Sequence, residues 1–346
     1  MKRGVQVTVF EAEGHLASGA SGNAMALVMP RLDAGDTVEA RLLIDAYLAA
    51  RDAYCELPGV VETDVRQNPR DERERVRFSK VLADPPLPLE DLEALESGGL
   101  LHKRALIIRP PLLVNALFSG ARILPGTKAR YDLSSCEVNG ETFDAIILAN
   151  GMALNAAAPW LSLEPRLGQV EHVSGLEARA PSALAAGHYA LADGDERLWG
   201  ATFEAHAGGA AMVSDAARTA NAQALKALSP PWQMGLGGAK IQSRAGVRAT
   251  TSDRLPLIGA LPDADAAAQV FDGWKTGRQV EADAPRMKGV YVAGGFGARG
   301  FTWGPWAGEI LAAQILDGAA PAPVSALEAV SPMRLILRGL KRGQAF

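Results

Sequence analysis

A glycine-rich turn between an apolar strand and an apolar helix constrains the fold most strongly. Residues 289–294 have the pattern of a buried strand, and Gly294, Gly295, Gly297 and Gly300 follow it before a helix predicted over about 305–316. Glycines at such a turn let the backbone approach a ligand closely, and the helix directs its N–H groups and positive dipole end toward it. A tight strand–helix connection without a ligand explains the same glycines equally well.

An earlier strand ends in an acid. Residues 5–11 are apolar, β-branched and close on Glu11, as in a buried parallel strand. In dinucleotide-binding folds an acid at this place accepts the ribose hydroxyls of adenosine. Its usual partner, a G-x-G-x-x-G loop, would lie about 20 residues upstream, before Met1. Taken alone, a glutamate at a strand end is more often a solvated residue.

The remaining pattern predicts alternating elements. Helices are predicted over 40–54, Pro110–Phe118 and Asp215–Leu228, and a buried strand over 143–151. Antiparallel strands are predicted over 165–205 with a turn at 193–196, followed by a strand over 239–249. Between them, 56–103 predicts short strands at 62–67 and 76–81 and a short acidic helix at about 89–95. Parallel-type strands at both ends and in the middle predict a discontinuous α/β nucleotide domain with an inserted α+β part.

Three arginines surround a predicted turn within residues 244–259: Arg244, Arg248 and Arg254. A guanidinium can hold a carboxylate through two parallel hydrogen bonds, which would fix an amino acid for chemistry. The alternative is a surface salt-bridge cluster with Asp253, and the three residues by themselves favour that alternative.

Composition excludes several function classes. The chain has 346 residues, 35 basic and 39 acidic, so no global field indicates a nucleic-acid partner, although a local basic patch is compatible with it. The two cysteines and five scattered histidines show no metal-ligand spacing, and we expect no metal. No signal peptide is evident, and the longest uncharged run, 145–163, contains Asn, Gly and Pro, so we expect a cytoplasmic protein without a membrane span. The oligomeric state is not indicated.

The C-terminal tail, 331–342, contains no acid. A helix there would align four basic side chains, Arg334, Arg338, Lys341 and Arg342, opposite an apolar stripe formed by Met333, Ile336, Leu337 and Leu340. The basic stripe could contact phosphates without reading sequence. A docked helix with a solvated basic face is somewhat favoured over this, and a short membrane-surface helix is a further alternative.

Five segments together carry a family resemblance: V-T-V-F-E, G-A-S-G-N, F-D-A-I-I-L-A-N-G, R-A-G-V-R-A-T-T-S-D-R-L-P-L-I-G and G-V-Y-V-A-G-G-F-G-A-R-G-F-T-W-G-P-W-A-G. In this order they resemble the D-amino-acid oxidase/glycine oxidase superfamily. The G-A-S-G-N segment, followed by Met29-Pro30, is more narrowly similar to the C-terminal oxidase part of bifunctional tRNA 5-methylaminomethyl-2-thiouridine biosynthesis enzymes.

The resemblance implies an α/β fold with a Rossmann-like FAD-binding domain, N-terminally truncated, and an inserted α+β substrate domain built on an antiparallel sheet. The FAD-binding domain would comprise 1–55, 104–165 and 285–325, the substrate domain 56–103 and 166–284, and the basic helix 326–346. Residues 2–4 resemble the end of the family's first helix. Because the G-x-G-x-x-G loop is absent, we expect the chain as printed to bind FAD weakly or not at all, unless its true start lies upstream.

The resemblance also assigns roles to residues. Arg248 would bind the substrate carboxylate, with Arg254 or Arg244 as the alternative, and Glu11 would bind the ribose. The residues implied to contact the rest of FAD are Gly19, Ala20, Ser21, Gly22, Asn23, Asn150, Gly151, Gly294, Gly295, Phe296, Gly297, Gly300, Phe301 and Thr302. No cysteine follows Cys136, so non-covalent FAD is implied.

The implied reaction is oxidative cleavage of the C–N bond of a carboxymethylamino group on the tRNA wobble uridine, with release of glyoxylate. The substrate would be 5-carboxymethylaminomethyl-2-thiouridine and the product its 5-aminomethyl counterpart. One alternative is an oxidase of free glycine, sarcosine or a D-amino acid. The other is a non-catalytic remnant that cannot hold FAD.

Overall fold

The structure is a computed structural model that describes residues 4–176, 183–278 and 280–345. Its strands are β1 Thr8–Phe10, β2 Ala26–Val28, β3 Val60–Gln67, β4 Leu92–Ala94, β5 Leu100–Ile108, β6 Arg122–Leu124, β7 Tyr131–Asp132, β8 Glu137–Val138, β9 Glu141–Thr142, β10 Ile146–Leu148, β11 Glu164–Val173, β12 Ala183–Ala186, β13 His188–Asp193, β14 Glu196–Gly200, β15 Glu204–Ala205, β16 Gln242–Thr250, β17 Leu257–Pro262 and β18 Arg286–Gly294. Its α-helices are α1 Val38–Tyr54, α2 Glu72–Ala83, α3 Pro110–Leu117, α4 Leu154–Ala157, α5 Asp215–Leu228, α6 Pro230–Met234, α7 Ala264–Val270, α8 Gly300–Ile315, α9 Val324–Val330 and α10 Met333–Lys341.

The chain separates into two compact units. The first contains Met1–Thr127 and Arg166–Val247, and the second contains Lys128–Pro165 and Arg248–Phe346. This division follows the packing of the chain and does not say where a cofactor or a substrate binds. The predicted assignment of segments to FAD-binding and substrate domains therefore stays a prediction.

A large curled sheet dominates the first unit. Its described strands follow the order β15-β11-β14-β13-β12-β3-β5-β2, with β16 beside β11 and β4 beside β5. Along the order from β15 to β2 the pairing is antiparallel except between β12 and β3, which run parallel. Strand β3 shows why the segment forms a half-buried strand, since Thr63 and Val65 are buried while Glu62, Asp64 and Arg66 are exposed. The antiparallel strands predicted over 165–205 and the hairpin turn at 193–196 are confirmed, except at residues 177–182, which lie outside the described residues.

Helices close this sheet and begin at side-chain caps. Helix α1 starts where Thr37 Oγ1 accepts a hydrogen bond from the Ala40 N–H, and it buries Leu43, Tyr47 and Ala50 along one face. Helix α5 starts in the same way at Ser214, and its Leu225 packs with Trp199 and Trp232. A separate parallel pair, β1 with β6, lies in the same unit.

The second unit contains a three-stranded sheet in the order β10-β18-β17. Strands β10 and β18 run parallel, as predicted for a nucleotide-binding α/β fold, and β17 is antiparallel to β18. Helix α8 follows β18 and buries Trp303, Trp306 and Ile310. A small antiparallel sheet of β7, β8 and β9 precedes β10 in the chain.

Two local predictions are wrong. Residues 76–81 belong to helix α2 rather than to a strand, because Asp71 caps the Glu74 N–H at 2.8 Å and Phe78 and Val81 then fall on one buried face. The acidic segment at 89–95 is a turn followed by β4, whose pairing with β5 supplies backbone hydrogen bonds that a helix of one or two turns could not replace. Helix α8 also begins at Gly300, five residues before the predicted start.

Candidate functional site

Glu11 follows β1 in the first unit and is partly buried. Its backbone continues the pairing of β1 with β6. Its N–H donates to the Leu124 carbonyl at 3.1 Å, and its carbonyl accepts from the Thr127 N–H at 2.8 Å. One carboxylate oxygen accepts from the Glu13 N–H at 3.0 Å. The described residues provide no donor for the second oxygen, so it can accept from a ribose hydroxyl.

The segment 18–23 of the first unit is a turn closed by a hydrogen bond from the Gly22 N–H to the Gly19 carbonyl at 3.2 Å. Gly19, Ala20 and Ser21 are exposed at its tip. The guanidinium of Arg244, on β16, donates to the Asn23 side-chain oxygen at 3.0 Å, to the Ser18 carbonyl at 2.8 Å and to the Gly19 carbonyl. Burial lowers the pKa of Arg244. Arg244 therefore holds this loop, which makes it unsuitable as the alternative carboxylate clamp.

Asn150 and Gly151 follow β10 in the second unit. Asn150 is exposed, and its carbonyl accepts from the Ala153 N–H at 3.2 Å in a short 3-10 turn. Gly151 has a φ of +60°, a conformation that favours glycine, and a Cβ added there would meet no atom within 4 Å. The chain thus turns sharply at the strand end and leaves open space beside the turn.

The glycines after β18 fall into two classes. A Cβ on Gly294 would overlap Leu154 Cδ1, and a Cβ on Gly295 would lie 2.9 Å from Thr251 Cγ2, so packing requires both. Gly295 and Gly297 also have positive φ angles of +66° and +57°. Gly300 has neither constraint, because its nearest neighbour would be Phe296 Cβ at 4.0 Å. The tight-turn interpretation explains Gly294, Gly295 and Gly297, whereas Gly300 leaves its backbone accessible.

Helix α8 begins at Gly300 without a side-chain cap. The Thr302 and Trp303 N–H groups donate to the Arg299 carbonyl, each at 3.0 Å. In the described residues no acceptor is present for the Gly300 and Phe301 N–H groups, and the next residue, Thr302, is buried. Free N–H groups at the positive end of a 16-residue helix favour a negatively charged or electron-rich group.

The two other candidate arginines differ in surroundings. Arg248 lies half-buried on β16. Arg254 is exposed in the turn after that strand, has a φ of +64° and donates its backbone N–H to the Thr251 carbonyl at 3.1 Å. Half-burial strengthens a hydrogen bond to a carboxylate because water competes less, which favours Arg248 over Arg254 as the substrate-binding residue.

The alternative interpretation places Asp253 in a surface salt-bridge cluster with these arginines, but its ion pairs in the structure are with two other arginines. Asp253 instead pairs with the C-terminal helix: Arg334 donates to it at 2.8 and 3.1 Å, and Arg338 donates to the same carboxylate. Burial raises the pKa of the Asp253 carboxyl, but the hydrogen bonds and charge of Arg334 more than offset this, so the pKa lies well below its usual range.

The basic stripe predicted on the C-terminal helix is only partly present, because Arg334 is buried while Arg338, Lys341 and Arg342 are exposed. Arg334 is only 7% exposed and donates to the Val330 and Leu255 carbonyls besides Asp253. Lys341 lies 4.3 Å from the centre of the Trp274 ring. The apolar stripe docks as predicted, with Met333, Ile336 and Leu340 packed against Ala267 and Phe271. Helix α10 is therefore a docked helix, and Arg334 cannot contact a phosphate.

The residues present fit FAD within each unit. In the first unit, Glu11 has a free carboxylate oxygen for a ribose, and a Cβ on Gly19 would meet nothing within 4 Å. In the second unit, Gly300 and Phe301 offer N–H donors beside an open backbone. The individual assignments of the site residues stay predictions. In the described residues no group of three or more metal-ligating side chains occurs, and no helix is long and apolar enough to cross a membrane.

A family model decides the identity of the fold. The model of the FAD-dependent oxidoreductases, named DAO, matches residues 1–314. The chain belongs to the FAD-dependent oxidoreductase family. It is thus an enzyme of a flavin-dependent family, and the resemblance seen in its sequence motifs is confirmed.

Within this family, the chain is similar to a group of bifunctional tRNA-modification proteins. The chain is 29% identical over 377 residues to the tRNA 5-methylaminomethyl-2-thiouridine biosynthesis bifunctional protein MnmC of Pseudomonas aeruginosa, and 31% identical over 381 residues to that of Ectopseudomonas mendocina. Each alignment covers 99% of this chain but only 58% and 57% of the relative. The chain therefore spans little more than half the length of these relatives.

Solved structures support the fold. Iminodiacetate oxidase from Chelativorans sp. BNC1 superposes with a TM-score of 0.71 at 20% identity, covering 96% of this chain and 94% of that one. Glycine oxidase from Geobacillus kaustophilus gives 0.68 at 20% identity, covering 95% and 92%. The predicted α/β fold is confirmed.

Proposed function

We propose that this chain is an FAD-dependent oxidase that cleaves the C–N bond of a carboxymethylamino group on the wobble uridine of tRNA. The substrate is 5-carboxymethylaminomethyl-2-thiouridine, and the products are the 5-aminomethyl nucleoside and glyoxylate. The observation that carries the proposal is the alignment of 99% of the chain with part of bifunctional proteins named for tRNA 5-methylaminomethyl-2-thiouridine biosynthesis. Since the chain belongs to an oxidoreductase family, the part it matches is the one that oxidises.

The roles proposed for the chain's own residues are supported by their surroundings within each unit. Arg248 binds the substrate carboxylate and thereby fixes the carboxymethyl carbon for oxidation. Glu11 binds the adenosine ribose, and the loop 18–23 and the start of α8 bind the rest of the cofactor. When bound, non-covalent FAD supplies the acceptor for a hydride from that carbon. Water then hydrolyses the resulting imine of the substrate, which yields glyoxylate and the primary amine.

A second candidate is the oxidation of a small free amine. Its support is the fold shared with iminodiacetate oxidase and glycine oxidase, each of which the chain covers over more than nine tenths of its length. Iminodiacetate itself carries a carboxymethylamino group, so the same arginine clamp would serve either substrate. The two candidates differ only in what lies on the far side of the nitrogen.

The test compares the substrates directly. The purified chain is incubated with FAD and an anticodon stem-loop carrying 5-carboxymethylaminomethyl-2-thiouridine, and in parallel with iminodiacetate, glycine, sarcosine or a D-amino acid. Nucleosides are analysed by mass spectrometry, and glyoxylate is trapped as its phenylhydrazone. Conversion of the stem-loop with little turnover of the free amines supports the tRNA reaction. Turnover of the free amines alone replaces it with the second candidate.

A further inference from the structure

The loop 18–23 presents its peptide groups in one orientation because of Arg244. The guanidinium donates only to neutral groups there: its three acceptors are the Ser18 and Gly19 carbonyls and the Asn23 side-chain oxygen. The peptide bonds that follow Ser18 and Gly19 are trans. In a planar trans peptide the N–H points opposite to the C=O. With both carbonyls turned toward Arg244, the Gly19 and Ala20 N–H groups point away from it.

These two N–H groups are available to a ligand. Within the described residues no backbone or side-chain acceptor lies on them, and both residues are exposed. Successive outward N–H groups in a turn form a concave anion-binding arrangement. Arg244 adds a positive charge behind this arrangement that no carboxylate in the described part of the chain neutralises, and a guanidinium stays charged in proteins.

The strand that carries Arg244 is fixed from its other face. Ser243 donates to the buried carboxylate of Glu171 and accepts from Arg218 at 2.9 and 3.1 Å. The loop is packed closely on the arginine: a Cβ on Gly22 would overlap Arg244 Nη2, and a Cβ on Gly246 would lie 3.2 Å from Ala20 Cα. The space at Gly22 requires glycine, and the contact at Gly246 is tighter than ordinary van der Waals packing. The loop and the arginine are therefore closely packed against each other.

We propose that Arg244 is a positioning residue for cofactor binding: it turns the Gly19 and Ala20 N–H groups outward and places a positive charge behind them, so that the loop binds an anionic group of FAD. The inference rests on the proposed function, because FAD is the anion that it names. Arg244 itself does not touch the cofactor, since its donors are directed to the inner side of the loop.

Three variants of the full chain test the inference. Arg244→Gln removes the charge and most of the donors, and Arg244→Lys keeps the charge but replaces the planar fork with a point donor. Arg197→Gln is the matched control, because Arg197 is 2% exposed, has a pKa lowered by burial and also donates to backbone carbonyls of a turn, those of Gly194 and Glu196. Because weak FAD binding is expected of the chain as printed, affinity is measured by a fluorescence titration carried to FAD concentrations that saturate the wild type. Exchange of the Gly22 N–H, which closes the loop, is measured in flavin-free protein labelled with [15N]glycine.

We expect Arg244→Gln to weaken FAD binding at least about tenfold, since N–H bonds to a charged group are lost, and to speed exchange at Gly22. Arg197→Gln should change neither, and Arg244→Lys should recover only part of the affinity. Unchanged affinity in Arg244→Gln, or full recovery in Arg244→Lys, would overturn the positioning role. So would unchanged Gly22 exchange. If the wild type binds FAD but oxidises none of the amines, the proposed reaction fails alone; if it binds no FAD, both fail.

Discussion

His102 should make the first unit sensitive to mild acid. The imidazole is 1% exposed on β5, and burial lowers its pKa to about 4. One ring nitrogen contacts Gln67 Oε1 at 2.8 Å, and no partner for the other is present in the described residues. With the carboxamide oxygen as acceptor, the contacting nitrogen carries the proton. A second proton would place an uncompensated charge in the core.

The pKa values of His102 in the folded and unfolded chain determine how the free energy of unfolding changes with pH. The folded value of about 4 lies below the ordinary value of 6.5, so the unfolded chain binds more protons between them. Stability is therefore lost as the pH falls through this window. The full shift corresponds to about 3 kcal/mol, of which about 2 kcal/mol is lost between about pH 7 and about pH 5.

His102→Gln is the informative substitution, because the glutamine amide can still donate to Gln67 but cannot titrate. Urea unfolding is followed by fluorescence of Trp199 and Trp232, which are buried in the same unit. Between about pH 7 and about pH 5 the wild type should lose about 2 kcal/mol more than the variant. His15→Gln, at an exposed histidine, should behave as the wild type. Parallel losses in wild type and His102→Gln would refute the reasoning.

Further predictions concern the site and the C-terminal helix. Arg248→Lys should raise the KM for the carboxylate substrate about ten- to a hundredfold without altering the flavin spectrum, since a bidentate charged pair is worth about 1.5–3 kcal/mol; steady-state kinetics with an unchanged KM would assign the carboxylate to another residue. Arg334→Gln should cost about 3–5 kcal/mol in urea unfolding because it deprives the partly buried Asp253 of its buried bidentate partner. Arg338→Gln, at an exposed position, should cost less than about 1 kcal/mol, and equal costs would contradict the assignment. Gly300→Ala should leave the flavin-free protein equally stable or gain up to about 1 kcal/mol, yet weaken FAD binding; unchanged affinity in a titration would show that no ligand approaches there.

Sequence patterns predicted those helices and strands whose periodicity and capping residues lie within their own segments. Helices α1, α3 and α5 and strands β3, β16 and β18 fall where periodicity and caps indicate them. The one helix misread as strands, α2, does carry a local signal: Asp71 three residues before Glu74 is a capping pattern. The short strand β4 has no such signal, because its hydrogen bonds come from β5.

Local sequence patterns do not predict which residues far apart in the chain contact each other. The Asp253–Arg334 pair joins positions 81 residues apart, and nothing in either segment indicates the other. From its sequence alone, the tail therefore resembles a free basic stripe, because the acid that pairs with Arg334 lies in a distant segment. Arg244 shows the same limit, since its partners lie more than 220 residues earlier in the chain. In both cases residue type was informative about the chemistry, and only the fold identified the partner.

The glycines after β18 show why a sequence motif alone cannot identify a ligand site. In the sequence, Gly294, Gly295, Gly297 and Gly300 are one motif with two equally good explanations. The structure separates them by what a Cβ would meet: Leu154 and Thr251 occupy the space beside the first two, whereas the space beside Gly300 is open. A glycine that packing or a positive φ already requires is no evidence for a ligand. The case for a ligand at this turn therefore depends on Gly300 and the uncapped N–H groups of α8, and the length of the motif adds little to it.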